Sequence, residues 1–340
     1  MEKRYATRKR DKRTTFLKNN HIEELYPKAE KIDIDLWKIL QDIDISYDEY
    51  SKNYDAIAQR LLLEILKDKK IKDKIHSARY RIKEKESLKA KIVRKKAELS
   101  QEISDDYEKE KYRCLDANNY YKIITDLIGF RIIVRYREQW IEVHKWIFEK
   151  FYKGDEFFVK NFIDDYCSSV STPFIAEKPK IYYRNRQERA FYEQTGRDYY
   201  ELIESDEGYN SIHYLVNIDG KYIEIQVRTI FDEAWSECTH DIVYKNKNKK
   251  LKNELKYLSK CLAQQTIASE AMVNLMYEKV HKGSRIYGNI GEMTNIPLIT
   301  MGKAKDANDA TSNKSTVEKR ILKLKELQVG EFDGSIDNLI

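Results

Sequence analysis

The stretch SIHYLVNIDGKYIEIQVRT constrains this chain more than any other, because two alternating runs meet at Asp219-Gly220, a dipeptide that favours a two-residue hairpin turn. In the second run Ile223, Ile225 and Val227 share one face, while Glu224, Gln226 and Arg228 share the other. One face suits a core, and the other displays an acid, an amide and a guanidinium together. The pattern has two readings, an antiparallel sheet with a wet face or the floor of an active site, and spacing alone leaves both open.

Upstream, IHSARYRIK sets Ile75, Ser77, Arg79, Arg81 and Lys83 on one parity, which predicts a strand, followed by a charged helix from about Glu86 to Glu110. Between Ile123 and Arg137 the apolar run IIVRY follows a glycine, and REQWIEVHKWIFEKF then runs at helical period. Phe157 to Phe162 reads as a further strand. Ser168 to Glu204 holds Pro173, Pro179, many Tyr and many charges without clear periodicity, and reads as a loop or lid with short helical turns. After the hairpin, IFDEAWSECTHDIVYK and Leu251–Val280 return to helical spacing.

Residues 1–20 form a basic leader, read as a flexible arm that offers little to a core or, more sharply, as an arm that touches RNA. Residues 21–70 are a helical lead-in, with Tyr54, Ile57, Leu61, Leu62, Ile65 and Leu66 at helical spacing. Residues 71–282 carry every motif discussed here. Residues 283–340 read as a Gly-, Asn-, Thr- and Ser-rich linker, a short helix near Val317–Leu327 and a polar tail. Such a tail reads as inert, as an oligomerisation helix or as a regulatory element that blocks a site, the first two being preferred, so a homo-oligomer stays open. The class is α/β (α+β), with helical N- and C-terminal extensions.

Charge narrows the partners. Sixty-three basic side chains against 57 acidic ones leave a net +6, a mild preference for polyanions that nucleotide phosphates satisfy as well as RNA. Cys114, Cys167, Cys238 and Cys261 lie far apart with no CxxC pair, which argues against structural zinc and a disulfide framework and for reduced thiols. No apolar run approaches the roughly 18 residues of a membrane span, so the expected location is the cytoplasm.

Chemistry gathers around two strand-borne acids, Asp126 immediately before LIGFRIIV and Glu224 within YIEIQVRT. Arg81 and Lys83 precede Ser87 near a helix start, and Lys91 follows one turn later; hydroxyl, backbone amides and cations there make a cradle for phosphates. Gly208-Tyr209-Asn210-Ser211-Ile212-His213 puts an aromatic at a turn and a histidine just inside the strand. A tyrosine so placed stacks on a base or packs on its own hairpin.

Five pieces, RIKEKESLKAK, DLIGFRIIV, GYNSIHYLV, IEIQVRT and the Trp235–Lys245 stretch with His240, Tyr244 and Lys245, together resemble the synthetase domain of the RelA/SpoT alarmone enzymes, small alarmone synthetases in particular. They occur in the family's order over roughly residues 75 to 250. The resemblance implies a nucleotidyltransferase-like mixed sheet flanked by helices, and transfer of pyrophosphate from ATP to the 3′-hydroxyl of GDP or GTP. It implies magnesium on Asp126 and Glu224, adenine between Arg81 and Arg131, and donor phosphates on Lys83, Ser87 and Lys91. The acceptor nucleotide would meet Tyr209, Ser211, His213, Gln226, Arg228 and His240. Glu224 would be the base for the hydroxyl proton or purely a metal ligand. His240-Asp241 is the one adjacent His-Asp pair, so hydrolase activity is not expected.

The approach to the Gly-Tyr turn is Glu204-Ser205-Asp206-Glu207, where the family carries Lys or Pro-Asn. Acid there repels acceptor phosphates. Two other readings follow: a synthetase that modifies the 3′ end of tRNA or an adenosine nucleotide, with the leader and Arg184-Asn185-Arg186 contacting RNA, and a catalytically inactive nucleotide sensor.

Overall fold

Alternation and turn chemistry place the strands, and helical periodicity their covers. The computed structural model describes residues 12–22, 25, 34–99, 110–154, 172–194, 200–205, 208–244 and 251–282. The helices before the sheet are α1 (residues 12–19), α2 (Ile34–Tyr50) and α3 (Tyr54–Lys67). There follow β1 (Ile75–Ile82), α4 (Lys85–Ala97), the short α5 (Tyr120–Ile123), β2 (Ile128–Val134) and α6 (Gln139–Phe151). Next come β3 (Phe174–Ile175), β4 (Lys180–Tyr183), α7 (Arg186–Glu193) and β5 (Glu201–Glu204). The hairpin strands β6 (Ser211–Ile218) and β7 (Lys221–Thr229) lead into α8 (Ile230–Thr239), a π-helical turn (His240–Tyr244) and α9 (Lys252–Lys282).

The strands form one mixed sheet in the order β1-β2-β7-β6-β4-β5, with β3 also paired to β6. β2 and β7 are parallel neighbours, Gly129 opposite Glu224 and Arg131 opposite Gln226, while β1 pairs antiparallel with β2, Arg79 opposite Arg131 and Arg81 opposite Gly129. These registers bring Arg79, Arg81, Arg131, Glu224, Gln226 and Arg228 to neighbouring positions on three strands. The hairpin turn has φ of 52° at Asp219 and 71° at Gly220, the left-handed pair that a type I′ connection requires.

The opposite faces close the core. Trp140 and Trp146 of α6 are fully buried, and each indole finds an acceptor: Trp140 Nε1 donates to Tyr214 Oη at 2.8 Å and Trp146 Nε1 to Asp68 Oδ2 at 2.8 Å. Burial holds His144, beside Tyr214 Oη at 2.9 Å, down to a pKa of about 4, so it is a neutral core histidine. Tyr54, Ile57, Leu61 and Ile65 of α3 belong to the same core. The Tyr47 hydroxyl of α2 donates to the Lys83 carbonyl, so the helical lead-in braces the end of β1.

Several expectations change. Residues 12–19 of the leader are helical and bury Phe16 and Leu17 in the core, so this part is no free arm; two apolar residues suffice because Trp37 packs edge-on against Phe16 at 5.8 Å. The segment read as a loop or lid contributes α7 and the short strands β3, β4 and β5, of which β3 and β4 pair with β6 and β5 pairs with β4. The charged helix after β1 stops at Ala97 rather than near Glu110, and residues 100–109 lie outside the described residues. So do the strand expected at Phe157–Phe162, the helix near Val317–Leu327, Cys167, Lys245 and residues 1–11. Among the described residues no helix is long and apolar enough to cross a membrane.

Candidate active site

The polar sheet face and α8 enclose a cleft of about 1090 Å³. Its walls include Asp126, Glu224, Arg81, Arg131, Tyr209, Gln226, Arg228 and His240 from the residues marked in the sequence, with Arg79, Tyr182, Glu204 and Glu237 besides. Asp126 sits in the turn before β2, and Glu224 lies on the parallel neighbour β7, so both acids reach the same end of the sheet.

Asp126 is held by two ammonium groups. Lys83 Nζ donates to Oδ2 at 2.8 Å and Lys91 Nζ to Oδ1 at 2.9 Å. Burial pushes this carboxyl up, but Lys91 and Lys83 more than offset it and hold its pKa at about 2. Burial also lowers the pKa of Lys83 despite Asp126. Ser87 is exposed on the first turn of α4, one turn before Lys91. The cations expected to hold donor phosphates thus converge here on Asp126.

Glu224 belongs to a closed ring of hydrogen bonds. Arg228 Nη2 donates to Tyr209 Oη at 2.8 Å, and Tyr209 Oη is 2.8 Å from His213 Nε2. The other ring nitrogen of His213, Nδ1, lies 3.4 Å from Glu224 Oε1. Gln226 Nε2 donates to Glu224 Oε2 at 2.7 Å, and Arg228 Nη2 closes the circuit on Gln226 Oε1 at 2.9 Å. Burial and the Asp126 charge push the Glu224 pKa up, yet His213 and Gln226 bring it below the usual carboxylate range. Arg228 also lies over the Tyr209 ring, 5.1 Å from its centroid, and Tyr182 meets that ring edge-on at 5.5 Å. Ser211 is fully buried and its Oγ accepts from Arg228 Nε at 3.2 Å, so it supports Arg228 and does not face an acceptor.

Sequence reasoning missed the two acids that pin the arginines. Glu233 and Glu237, one turn apart on α8, both accept from Arg79 Nη2 and Arg131 Nη1, and Glu233 Oε2 also accepts from Arg228 Nη1 at 3.1 Å. The available signal was their i, i+4 spacing directly after a Thr229–Asp232 capping box. Arg184, assigned to RNA contact, has a side chain only 2% exposed and bonded to Glu188, so it is unavailable to RNA.

Gly208, which delivers Tyr209, has φ of +90°, and a Cβ there would lie 2.6 Å from the Ala263 Cβ of α9 and 3.3 Å from Trp235. Gly208→Ala is expected to destabilise the fold by about 2–3 kcal/mol in urea unfolding, and adding Ala263→Gly to recover only the steric part. Unchanged stability of the single variant would show that α9 does not press on this turn.

The donor set fits a hard cation. Two carboxylates face one cleft, and among the described residues no three Asp, Glu, His or Cys side chains converge, so magnesium here would complete its shell with phosphate oxygens and water. Both Asp126 oxygens meet an ammonium group.

A family model described as a region found in RelA / SpoT proteins matches residues 80–249, half of the chain. The chain belongs to the RelA/SpoT family. A search of curated protein sequences gave no significant match. Solved structures with some likeness include small alarmone synthetase 1 of Bacillus subtilis bound to its product pppGpp, 14% identical over 69% of this chain and 98% of that one, TM-score 0.43. A GTP pyrophosphokinase family protein of Streptococcus pneumoniae is 16% identical over 69% and 95%, TM-score 0.43. Small alarmone synthetase 2 of Bacillus subtilis is 20% identical over 71% and 98%, TM-score 0.29. Likeness at this level carries nothing about activity.

Proposed function

We propose that this chain is a magnesium-dependent alarmone synthetase that transfers pyrophosphate from ATP to the 3′-hydroxyl of GDP or GTP. The observation that carries the reading is the division of one cleft: Lys83 and Lys91 gather on Asp126, and the Tyr209–His213–Arg228 ring gathers on Glu224, on the parallel neighbour strand. In this reading the acceptor oxygen forms a bond to the β-phosphorus of ATP, the bond from the α-phosphate bridge to that phosphorus breaks, and AMP leaves. Magnesium held by Asp126 and Glu224 supplies charge neutralisation on the phosphate oxygens.

The protein groups do the rest by position. Lys83, Lys91 and Ser87 hold the donor phosphates, and the guanidinium faces of Arg81 and Arg131 take the donor base. Tyr209, His213, Gln226 and Arg228 orient the acceptor, and the ionised Glu224 is placed to accept its proton.

A second acceptor class has its own support, because Glu204 lines the cleft and puts acid near the acceptor side; Asp206 and Glu207 lie outside the described residues. The tRNA 3′ end or an adenosine nucleotide fits such a rim better if its phosphates lie elsewhere. Incubating the full chain with ATP, magnesium and GDP, GTP, ATP or tRNA in turn, and measuring AMP, separates the readings. AMP with GDP or GTP supports the proposal, AMP with tRNA and salt-sensitive tRNA binding supports the second, and no AMP with any acceptor leaves a nucleotide-sensing module.

A further inference from the structure

Resting on the donor-site reading above, we propose that Glu237 is the residue that reads the donor base, selecting a 6-aminopurine over a 6-oxopurine. The neighbouring acid Glu233 is saturated: its Oε1 takes Arg79 and Arg131, its Oε2 takes Arg228, and its side chain is only 14% exposed. Glu237 spends Oε1 on Arg131 and Arg79, while its Oε2 has no partner among the described residues. It lines the cleft beside Arg131, and its side chain is 55% exposed.

The arginine frame makes that free oxygen directional. Arg81 lies beside Gly129, close enough that a Cβ there would touch its side chain at 3.6 Å, and no ion-pair partner holds it among the described residues. Arg131 is tied at Nη1 by both acids, which fixes the edge of its guanidinium and leaves its plane to the slot. A flat base between Arg81 and Arg131 therefore meets Glu237 at its edge. Arg131 and Arg79 hold Glu237 ionised, its pKa lowered by the Arg131 hydrogen bond and then, against burial, by charge. A carboxylate only accepts, so it favours the 6-amino group of adenine and opposes the 6-oxo group of hypoxanthine or guanine.

Glu237→Gln is informative because the amide has no freedom of orientation. Two guanidinium donors on one side require the amide oxygen there, which turns the NH₂ group toward the slot, where it suits a 6-oxo group and opposes a 6-amino group. The experiment is transfer by the full chain, with magnesium and the acceptor that serves it, measuring kcat/KM for ATP and for ITP as donors. The wild type is expected to prefer ATP by about 10- to 100-fold, less than the roughly 10⁴ of a fully buried polar pair because Glu237 is half-exposed. Glu237→Gln should lower that ratio at least tenfold, a change that a merely structural role would not produce.

A second measurement needs no variant. Purine riboside triphosphate, which lacks only the 6-amino group, should serve the wild type about tenfold less well than ATP. Equal use of these two donors, or an ATP/ITP ratio unaltered by Glu237→Gln, would overturn the assignment. No AMP from ATP with any acceptor would instead remove the synthetase reading on which it rests, so the two failures are distinct.

Discussion

Glu224→Gln should lower pyrophosphoryl transfer on the order of 10³-fold while leaving the fold in place. The substitution is close to isosteric, and its local consequences oppose one another. It removes the attraction to His213 that holds the Glu224 pKa down, but it also removes a buried charge and the repulsion from Asp126. Stability should therefore change by no more than about 1 kcal/mol. In the proposed reaction, function has no such offset, since an amide would neither bind magnesium as a carboxylate does nor accept the hydroxyl proton. The ring also loses a charge-assisted acceptor, and with it the fixed pose of His213 and Tyr209. Initial rates of AMP formation and urea unfolding on one preparation decide the matter. Near-normal turnover would sink the role, and so would a loss matched by unfolding.

The hairpin behind that prediction was legible because every local rule agreed. Asp219-Gly220 demanded a left-handed turn, and the alternation through Lys221–Thr229 left one register in which Ile223, Ile225 and Val227 could be buried. Spacing alone left Asp126 and Glu224 undecided between a wet sheet face and a site, and the structure brings Lys83 and Lys91 together on Asp126. What failed was weaker by nature. The four-residue strand Lys180–Tyr183 and its parallel partner Glu201–Glu204 carry too few apolar residues to announce a period, and exist because β6 presents an edge. Glu233 and Glu237 went unremarked, since nothing in the local sequence says that three arginines from β1, β2 and β7 arrive beneath them. Ser211 was placed correctly on its strand but on the buried side of Arg228. Side-chain partnerships between distant segments, unlike the faces of one strand, have no local signature.

Arg184→Met should destabilise the protein by about 3–5 kcal/mol, because it removes one of two cations from a buried group of three acids. Arg184 donates to Glu188 at 2.6 Å, pairs with Asp232 at 2.9 Å and meets Glu270 at 3.1 Å; Arg137 meets Glu188 at 3.0 Å and Glu270 at 2.8 Å. All three acids are nearly inaccessible, and the group joins α7, α8 and α9 to the segments just after β4 and just before α6. With three acids against two guanidiniums one negative charge is in excess. It falls on Glu270, whose pKa burial and Asp232 raise to about 7 against the pull of Arg137 and Arg184.

The sign of the pH dependence follows. A carboxyl whose folded pKa lies above its ordinary value favours the folded state when protonated, so its contribution is complete below the ordinary range, near 4.5, and is lost as pH rises through about 7. The excursion corresponds to about 3 kcal/mol. Wild-type stability should thus decline from about pH 5 to about pH 8 with a component that Glu270→Gln removes, whatever constant offset the amide brings. Urea unfolding at a series of pH values compares the slopes. Equal slopes in wild type and Glu270→Gln would mean that the excess charge resides elsewhere, whereas a flatter variant places it on α9. That helix carries the Ala263 contact on the Gly208–Tyr209 turn and accepts the Trp235 indole hydrogen bond at the Ser259 carbonyl, 2.9 Å away. Its attachment through Glu270 therefore bears on the Tyr209 side of the cleft, and, if the proposed transfer holds, the same substitution should leave the AMP-forming rate less dependent on pH above neutrality than it is in the wild type.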